Sequence, residues 1–214
     1  MKNRIVVYDF ETICIFPLNE FAPCEVACII LDGDSLKELP NSRFTSLMKP
    51  LDEKYIQPKA LEVNKRSIEE LRTAPLQKQV VEAFVKHIHS YDLGGKPPWN
   101  LCVAAGHNIC NFDNHITNAL LSKYNLPQLF HPRDTFDTMQ MCGMWMRKLP
   151  EVTSYSMDFL RKYMEMPTDE SQTHSALYDV LQTAGLLRKF MGLHERLAAT
   201  VQFKGCFAGK SEKE

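Results

Sequence analysis

The sequence predicts an α/β fold in which a mixed β-sheet is flanked by helices. Two observations carry this prediction. Three strand-like segments joined by short turns open the chain, and helical patterns interleaved with one further strand-like segment follow them. The composition agrees, because 214 residues that are 44% hydrophobic and 24% charged are typical of one globular domain with a full core.

The opening strands are predicted from their side chains. Residues 4–10 are β-branched and aromatic without polar alternation, which is typical of a strand buried on both faces. A second apolar run covers 24–31 and ends at an Asp-Gly-Asp turn, and a third covers 43–48 and ends before a proline. Because the connections are short turns, we expect an antiparallel meander.

Helices are predicted where apolar residues recur at spacings of three and four. A mixed connector at 57–72 leads to a helix over about 75–91, and a loop at 93–100 precedes a fourth buried strand at 101–106. Four more helices are predicted, at 112–124, 136–147, 155–164 and 175–192. We therefore expect one domain over 1–192 and a partly disordered tail over 193–214.

Charge and cysteine usage limit the classes of function. Lys and Arg total 25 against 26 Asp and Glu, so a global basic surface for long nucleic acids is excluded, while a local site for a short end is not. The chain has seven cysteines and no C-x-x-C pattern, which favours reduced, buried thiols over zinc ligands or disulfides. No segment has the length of a signal peptide core or a membrane span, so we expect a cytoplasmic protein with no membrane association.

Two carboxylates lie where burial should exclude a charge. Asp9 and Glu11 follow the most apolar strand, and residues two apart on a strand share a face. Two negative charges at such a short distance repel each other in a low-dielectric environment unless a cation lies between them. Mg²⁺ and Mn²⁺ prefer carboxylate oxygens as ligands. The alternative is that the strand simply ends at Asp9.

Two later segments add acidic residues of the same kind. His107 and Asn108 leave the fourth strand, and Asp113 falls in the first turn of the next helix, where the helix dipole alone could also favour it. Asp179 flanks the apolar stripe of the last long helix, although Asp is a poor helix former. His174 can approach Asp179 only if it lies in the loop before that helix, and a surface His-Asp pair is the alternative.

The order of these segments resembles a known family. The motifs are Tyr8-Asp9-Phe10-Glu11-Thr12, then His107-Asn108 with Phe112-Asp113, then His174-x-Ala176-Leu177-x-Asp179. They resemble the DnaQ-like (DEDDh) 3′→5′ exonucleases over residues 4–192, and the resemblance implies a ribonuclease H-like five-stranded mixed sheet whose first three strands are antiparallel.

Two departures from the family pattern concern the substrate more than the chemistry. Three residues separate Asn108 from Phe112-Asp113 where two are usual, a form closer to the exonuclease domains of family B polymerases. Asn64-Lys65-Arg66 stands where many members carry a His-Gly-Ile type sequence. The position of His174 matches the histidine subtype.

The resemblance implies a two-metal mechanism. Asp9, Glu11, Asp113 and Asp179 would ligate two Mg²⁺ ions, for which Mn²⁺ can substitute, and His174 would act as general base. The implied reaction removes nucleoside 5′-monophosphates from the 3′ end of single-stranded DNA, in DNA repair or replication, and a separate DNA polymerase is an implied partner. The sequence does not indicate the oligomeric state.

Five residues near these motifs are expected at the terminal nucleotide: Phe10, Thr12, Ile13, His107 and Asn108. For Phe10 and Ile13, packing in the core is an equally good expectation. Three alternatives to the DNA exonuclease stay open at this point. They are an exoribonuclease or oligoribonuclease acting on RNA 3′ ends, a non-catalytic nucleic-acid-binding subunit, and a ribonuclease-H-type endonuclease.

Overall fold

The central strand, β1, organises the sheet, because its residues are buried on both faces. It pairs antiparallel with β2 and parallel with β4, while β3 pairs antiparallel with β2 and β5 pairs parallel with β4. The spatial order is β3-β2-β1-β4-β5, which confirms the mixed five-stranded sheet with three antiparallel opening strands. The strands are β1 (Ile5–Thr12), β2 (Pro23–Leu31), β3 (Phe44–Leu47), β4 (Val103–Gly106) and β5 (Thr135–Asp137).

Seven helices flank this sheet in the computed structural model, which describes residues 3–14, 16–169, 171–200 and 204. A short 3₁₀ turn at Glu53–Tyr55 precedes the first of them. The helices are α1 (Pro58–Val63), α2 (Ile68–Thr73), α3 (Gln77–His89), α4 (Asp113–Lys123), α5 (Thr138–Met146), α6 (Met157–Tyr163) and α7 (Ala176–Ala198).

Alternation along β1 divides the core into two layers. Val6, Tyr8 and Phe10 pack in one cluster with buried side chains of α3 and α4. Ile5 and Val7 point to the opposite face, where they pack in a second cluster with buried side chains of α7. Because successive strand residues face opposite sides, the odd-numbered residues of β1 all face the α7 layer.

The structure differs from the predicted elements in four places. β1 continues two residues beyond its predicted end, to Thr12, so the chain does not leave the sheet at Asp9. The connector at 57–72 contains the two short helices α1 and α2, and residues 135–137 form the fifth strand where a helix start was predicted. Three residues are too few to show a strand period, and only pairing with β4 defines this strand.

The fourth difference concerns the end of the chain. The last helix, α7, continues to Ala198, six residues past its predicted end at 192. Residues 201–203 and 205–214 of the predicted tail lie outside the described residues, so the boundary between domain and tail stays a prediction.

The cysteines and the helices bear on two further expectations. All six cysteines in the described ranges are free, and all but Cys110 are buried, which agrees with reduced thiols. Cys206 lies outside the described residues. None of the helices described has both the length and the apolar character needed to cross a bilayer. The cytoplasmic location stays a prediction.

Candidate active site

Asp9 and Glu11 lie within β1, on the face that carries Ile5 and Val7. That face packs against α7, so both carboxylates are directed to the layer that contains Asp179. Glu11 is only 9% exposed, and Asp9 is half-buried at the wall of a cavity. The sequence prediction that the two share a face at one end of the sheet is consistent with this geometry.

Asp113 is the first residue of α4 and is 1% exposed. Pairing between β1 and β4 ends at Val7, so the backbone beyond it is available to other partners. The backbone N–H of Phe10 donates to Asp113 Oδ1 at 2.9 Å, which holds this carboxylate beside the stretch of β1 that carries Asp9 and Glu11. The third acidic residue is therefore positioned by the strand itself.

The loop between β4 and α4 leads to Asp113 and is tightly packed. Gly106 ends β4, and a Cβ on it would lie 2.8 Å from Cβ of Ile109, closer than real side chains approach. Asn108 adopts φ +62°, a left-handed conformation in which Asn is enriched. The buried Asp137 carboxylate accepts from the N–H groups of Asn108 (3.1 Å) and Cys110 (3.2 Å) and also caps the start of α5.

His107 has both ring nitrogens occupied by protein groups. Its Nε2 lies 2.9 Å from the carbonyl oxygen of Tyr155, and its Nδ1 lies 2.9 Å from Thr138 Oγ1. A carbonyl only accepts, so Nε2 carries the proton, and burial lowers the pKa of the ring. His107 thus ties β4 to the segment before α6 and lines the cavity.

His174 lies in the loop before α7, two residues ahead of the first helical residue. Its φ is +63°, and its ring lines the same cavity of about 240 Å³ as Asp9 and Asp179. The spacing argument requires a loop position for His174, and the structure provides it. His174 and Asp179 therefore meet Asp9 at one cavity, although Asp9 is far from both of them in sequence.

Asp179 lies in the first turn of α7 and forms an ion pair with Arg161 of α6. The Arg161 guanidinium donates through Nη2 to Asp179 Oδ1 and through Nη1 to Asp158 Oδ1, the latter at 3.0 Å. Of the four carboxylates singled out from the sequence, Asp179 alone has an ion-pair partner among the described residues. The sequence analysis did not assign this role to Arg161.

The four carboxylates disturb each other's ionisation. Burial and then the charge of Asp179 raise the pKa of Glu11 to about 8, and burial raises the pKa of Asp113 to about 7. Burial, followed by the charges of Asp113 and Glu11, raises the pKa of Asp9 well above its usual value. For Asp179 burial also raises the pKa, while the nearby Arg161 and His174 lower it. The site thus has an excess of negative charge that protons relieve only in part.

This excess fits divalent cations by the chemistry of its donors. The side chains are all carboxylates, the ligands that Mg²⁺ and Mn²⁺ prefer. Within the described ranges no three metal-ligating side chains are gathered closely enough to hold an ion as they stand. The metal roles of the four residues therefore stay a prediction.

A fifth carboxylate, Glu25 on β2, was missed by the sequence analysis. It is paired in register with Glu11 on β1 and is 3% exposed. Arg66 binds it at 2.6 Å and also contacts Glu70 at 3.1 Å, so its charge is compensated. The sequence does show a Glu near the start of an otherwise apolar strand, which could have indicated a buried charge. Its partner Arg66, however, lies 41 residues away in the connector.

The five residues expected at the substrate have different surroundings. Phe10 and Ile13 are 4% and 0% exposed and pack in the core, where Phe10 meets the rings of Tyr8 and Phe84. Their side chains thus fill the core, which agrees with the alternative expectation for these two residues. Thr12 is half-buried, and its carbonyl accepts from Asn64 Nδ2 at 2.8 Å. Substrate binding by these residues, and by His107 and Asn108, stays a prediction.

Comparison with known proteins adds independent evidence. The RNase_T family model, described as exonuclease, matches residues 6–187. Ribonuclease T of Yersinia pestis is 31% identical over 199 residues, which cover 90% of this chain and 86% of that protein. Ribonuclease T of Buchnera aphidicola subsp. Acyrthosiphon pisum is 29% identical over 196 residues, with 90% and 84% covered.

Solved structures share the fold. E. coli Exonuclease I in complex with a dT13 oligonucleotide aligns with a TM-score of 0.70 and 20% identity, covering 93% of this chain and 43% of that one. Exonuclease I of Methylocaldum szegediense aligns with a TM-score of 0.66 and 18% identity, covering 88% and 41%. This chain thus spans less than half the length of either structure. Exonucleases of this kind depend on divalent metal ions. The chain belongs to the RNase_T exonuclease family and is a DnaQ-like 3′→5′ exonuclease of the ribonuclease H-like superfamily.

Proposed function

We propose that this protein hydrolyses single-stranded DNA from its 3′ end and releases nucleoside 5′-monophosphates, with two Mg²⁺ ions as cofactors. The observation that carries the proposal is that four carboxylates and one histidine lie around the end of β1. Asp9, Asp179 and His174 line one cavity, and Glu11 and Asp113 are near enough to raise the pKa of Asp9.

Each residue has a role that its surroundings support. Asp9, Glu11, Asp113 and Asp179 hold the two cations. The first three have no ion-pair partner among the described residues, and Asp179 is close enough to raise the pKa of Glu11. When bound, such ions lower the pKa of a water molecule and neutralise charge on the leaving 3′ oxygen. His174 accepts the proton of the attacking water, because it faces the cavity from a loop and imidazole is the side chain that most often serves as a general base near neutral pH. Thr12, His107 and Asn108 lie on the proposed path of the terminal nucleotide.

The choice of DNA rests on the solved structures, one of which is Exonuclease I in complex with a dT13 oligonucleotide. A second candidate, RNA 3′ ends, is favoured by the name of the sequence relatives, ribonuclease T. Both substrates would use the same carboxylates and the same general base. If DNA is the substrate, we also propose a separate DNA polymerase as a partner.

The test is digestion of 5′-labelled single-stranded DNA and RNA of matched sequence, with Mg²⁺, with Mn²⁺ and with EDTA. We expect a ladder that shortens from the 3′ end only when metal is present, with DNA degraded faster than RNA. Asp9→Ala should abolish the ladder. Asp34→Ala should preserve it, because Asp34 is an exposed acidic residue in the turn after β2.

Three results would contradict the proposal in different ways. Faster digestion of RNA than of DNA would favour the second candidate function, hydrolysis of RNA 3′ ends. Cleavage of a circular single strand would indicate an endonuclease, since a circle has no 3′ end. Binding of oligonucleotide by the folded protein without any digestion would indicate a non-catalytic subunit.

A further inference from the structure

Arg161 is a buried cation at the edge of the proposed metal site. The residue is 5% exposed, and its guanidinium contacts Asp179 and Asp158 while lying 5.7 Å from the ring centre of Tyr178. Its Nε is buried and has no hydrogen-bond partner within the described ranges. A guanidinium keeps its charge under all ordinary conditions, so this position carries a permanent positive charge.

The charge of Arg161 is directed at one carboxylate of the site. Asp158 is largely exposed to solvent, which weakens its share of the pairing, whereas Asp179 is mostly buried. Arg161 also lines the cavity together with Asp9, His174 and Asp179. It is therefore close enough to act on any cation that Asp179 binds.

We propose that Arg161 is a positioning residue that holds one oxygen of Asp179 and so limits how tightly the site binds divalent cations. This inference rests on the proposed function, because it assumes that Asp179 is a metal ligand. The guanidinium occupies Oδ1 and leaves Oδ2 for a cation. Two effects of opposite sign follow. Repulsion between Arg161 and the cation weakens metal binding, and the fixed carboxylate favours turnover once metal is bound.

The experiment measures these two effects separately. Mn²⁺ binding to the full chain is followed by calorimetry without nucleic acid, and kcat and KM are measured at saturating Mn²⁺. In Arg161→Met we expect Mn²⁺ to bind about fivefold more tightly or better, while kcat falls about tenfold and KM changes little. In Arg161→Lys, which keeps the charge but loses the planar two-armed contact, we expect near-normal Mn²⁺ affinity and a smaller loss of kcat.

A matched control distinguishes this role from general loss of structure. Arg72 makes a two-armed contact to Glu53 on an exposed surface, so Arg72→Met removes a similar ion pair outside the site and should change neither quantity. If Arg161→Met does not fold, Arg161→Gln tests the same loss of charge with a polar side chain. A purely structural role predicts a lower melting temperature with unchanged or weaker Mn²⁺ binding, and that result would overturn the inference.

The inference and the proposed function fail in different ways. Failure of the proposed function leaves the wild-type protein without metal-dependent digestion. If the inference fails, the wild-type enzyme is active, but the folded Arg161→Met or Arg161→Gln variant binds Mn²⁺ no more tightly than the wild type.

Discussion

Asp113 and Asp179 are the same residue type at one site, yet the fold restrains them by different means. Asp113 is 1% exposed and accepts a backbone N–H from Phe10, a neutral donor. Asp179 is paired with the guanidinium of Arg161, a full positive charge. A neutral donor orients a carboxylate but leaves much of its burial cost in place, whereas a cation offsets it.

The two carboxylates therefore differ in how readily they can bind a metal ion. The pKa of Asp113 is raised to about 7 by burial, so its negative charge is poorly compensated in the metal-free protein. Asp179 already has a cation partner, so a metal ion must share it with Arg161. The comparison predicts opposite responses when the two charges are removed.

The largest expected effects come from Asp113→Asn and Asp179→Asn. Each removes a proposed metal ligand, so activity should fall by about a thousandfold or more in both. In metal-free protein at pH 8, Asp113→Asn should stabilise the fold by about 1–2 kcal/mol, because the amide oxygen can still accept the Phe10 N–H without a buried charge. Asp179→Asn should destabilise it by about 1–3 kcal/mol, because Arg161 is left buried with one exposed partner.

Urea unfolding at pH 8 measures both changes, with Asp34→Asn as the exposed control. At pH 5 the benefit of Asp113→Asn should disappear, because the wild-type carboxyl is then protonated in the folded protein. Stability changes of the same sign in the two variants at pH 8 would remove the basis of the comparison.

The next effect is the pH dependence of stability that arises from the carboxyl groups of the site. The folded-state pKa values of Glu11 (about 8) and Asp113 (about 7), and the raised pKa of Asp9, all exceed the ordinary values of these carboxyl groups. The folded protein therefore binds more protons than the unfolded chain between about pH 4 and pH 8. Metal-free stability should be greatest at the acid end of that window and fall by a few kcal/mol as pH rises through it.

Melting curves in EDTA and in Mg²⁺ across pH 5 to 8.5 test this expectation. Mg²⁺ should reduce the decline, because bound cations replace the protons that the carboxylates lose at higher pH. Metal-free stability that rises over the same window would contradict the pKa shifts on which the comparison depends.

A third effect extends the comparison to Asp137, a buried carboxylate that accepts hydrogen bonds from four backbone N–H groups. It accepts from Asn108 and Cys110 in the β4–α4 loop and from the first turn of α5. Asp137→Ala should destabilise the protein by about 2–4 kcal/mol, because a helix cap and the loop contacts are lost together. Urea unfolding provides the measurement. Asp52→Ala, which removes the exposed carboxylate that caps the 3₁₀ turn, should cost less than about 1 kcal/mol.

The smallest expected effect concerns the loop that carries His174. Lys65 Nζ donates to Ser171 O at 3.4 Å and to Thr173 Oγ1 at 3.3 Å, which ties the connector to this loop. Lys65→Ala should lower kcat about threefold and leave the melting temperature nearly unchanged, because the contacts are long and mostly exposed. Lys59→Ala, which removes a surface pair with Glu62, is the control and should leave kcat unchanged. Equal kcat values for wild type and Lys65→Ala would show that the histidine loop needs no such anchor.

Features that depend on neighbouring residues could be predicted from the sequence. The apolar run of β1 predicts a buried central strand, and the two-residue spacing places Asp9 and Glu11 on one face. These are local properties, because strand periodicity and backbone preference extend over only a few residues.

Contacts between side chains that are distant in sequence could not be predicted, because they depend on how the helices and strands pack. Glu25 finds Arg66, His107 finds the carbonyl of Tyr155, and Arg161 is placed on Asp179 only because α6 packs beside α7. The three-residue strand β5 likewise exists through its pairing with β4. Such contacts depend on packing between elements, and no local pattern encodes which distant group will neutralise a buried charge.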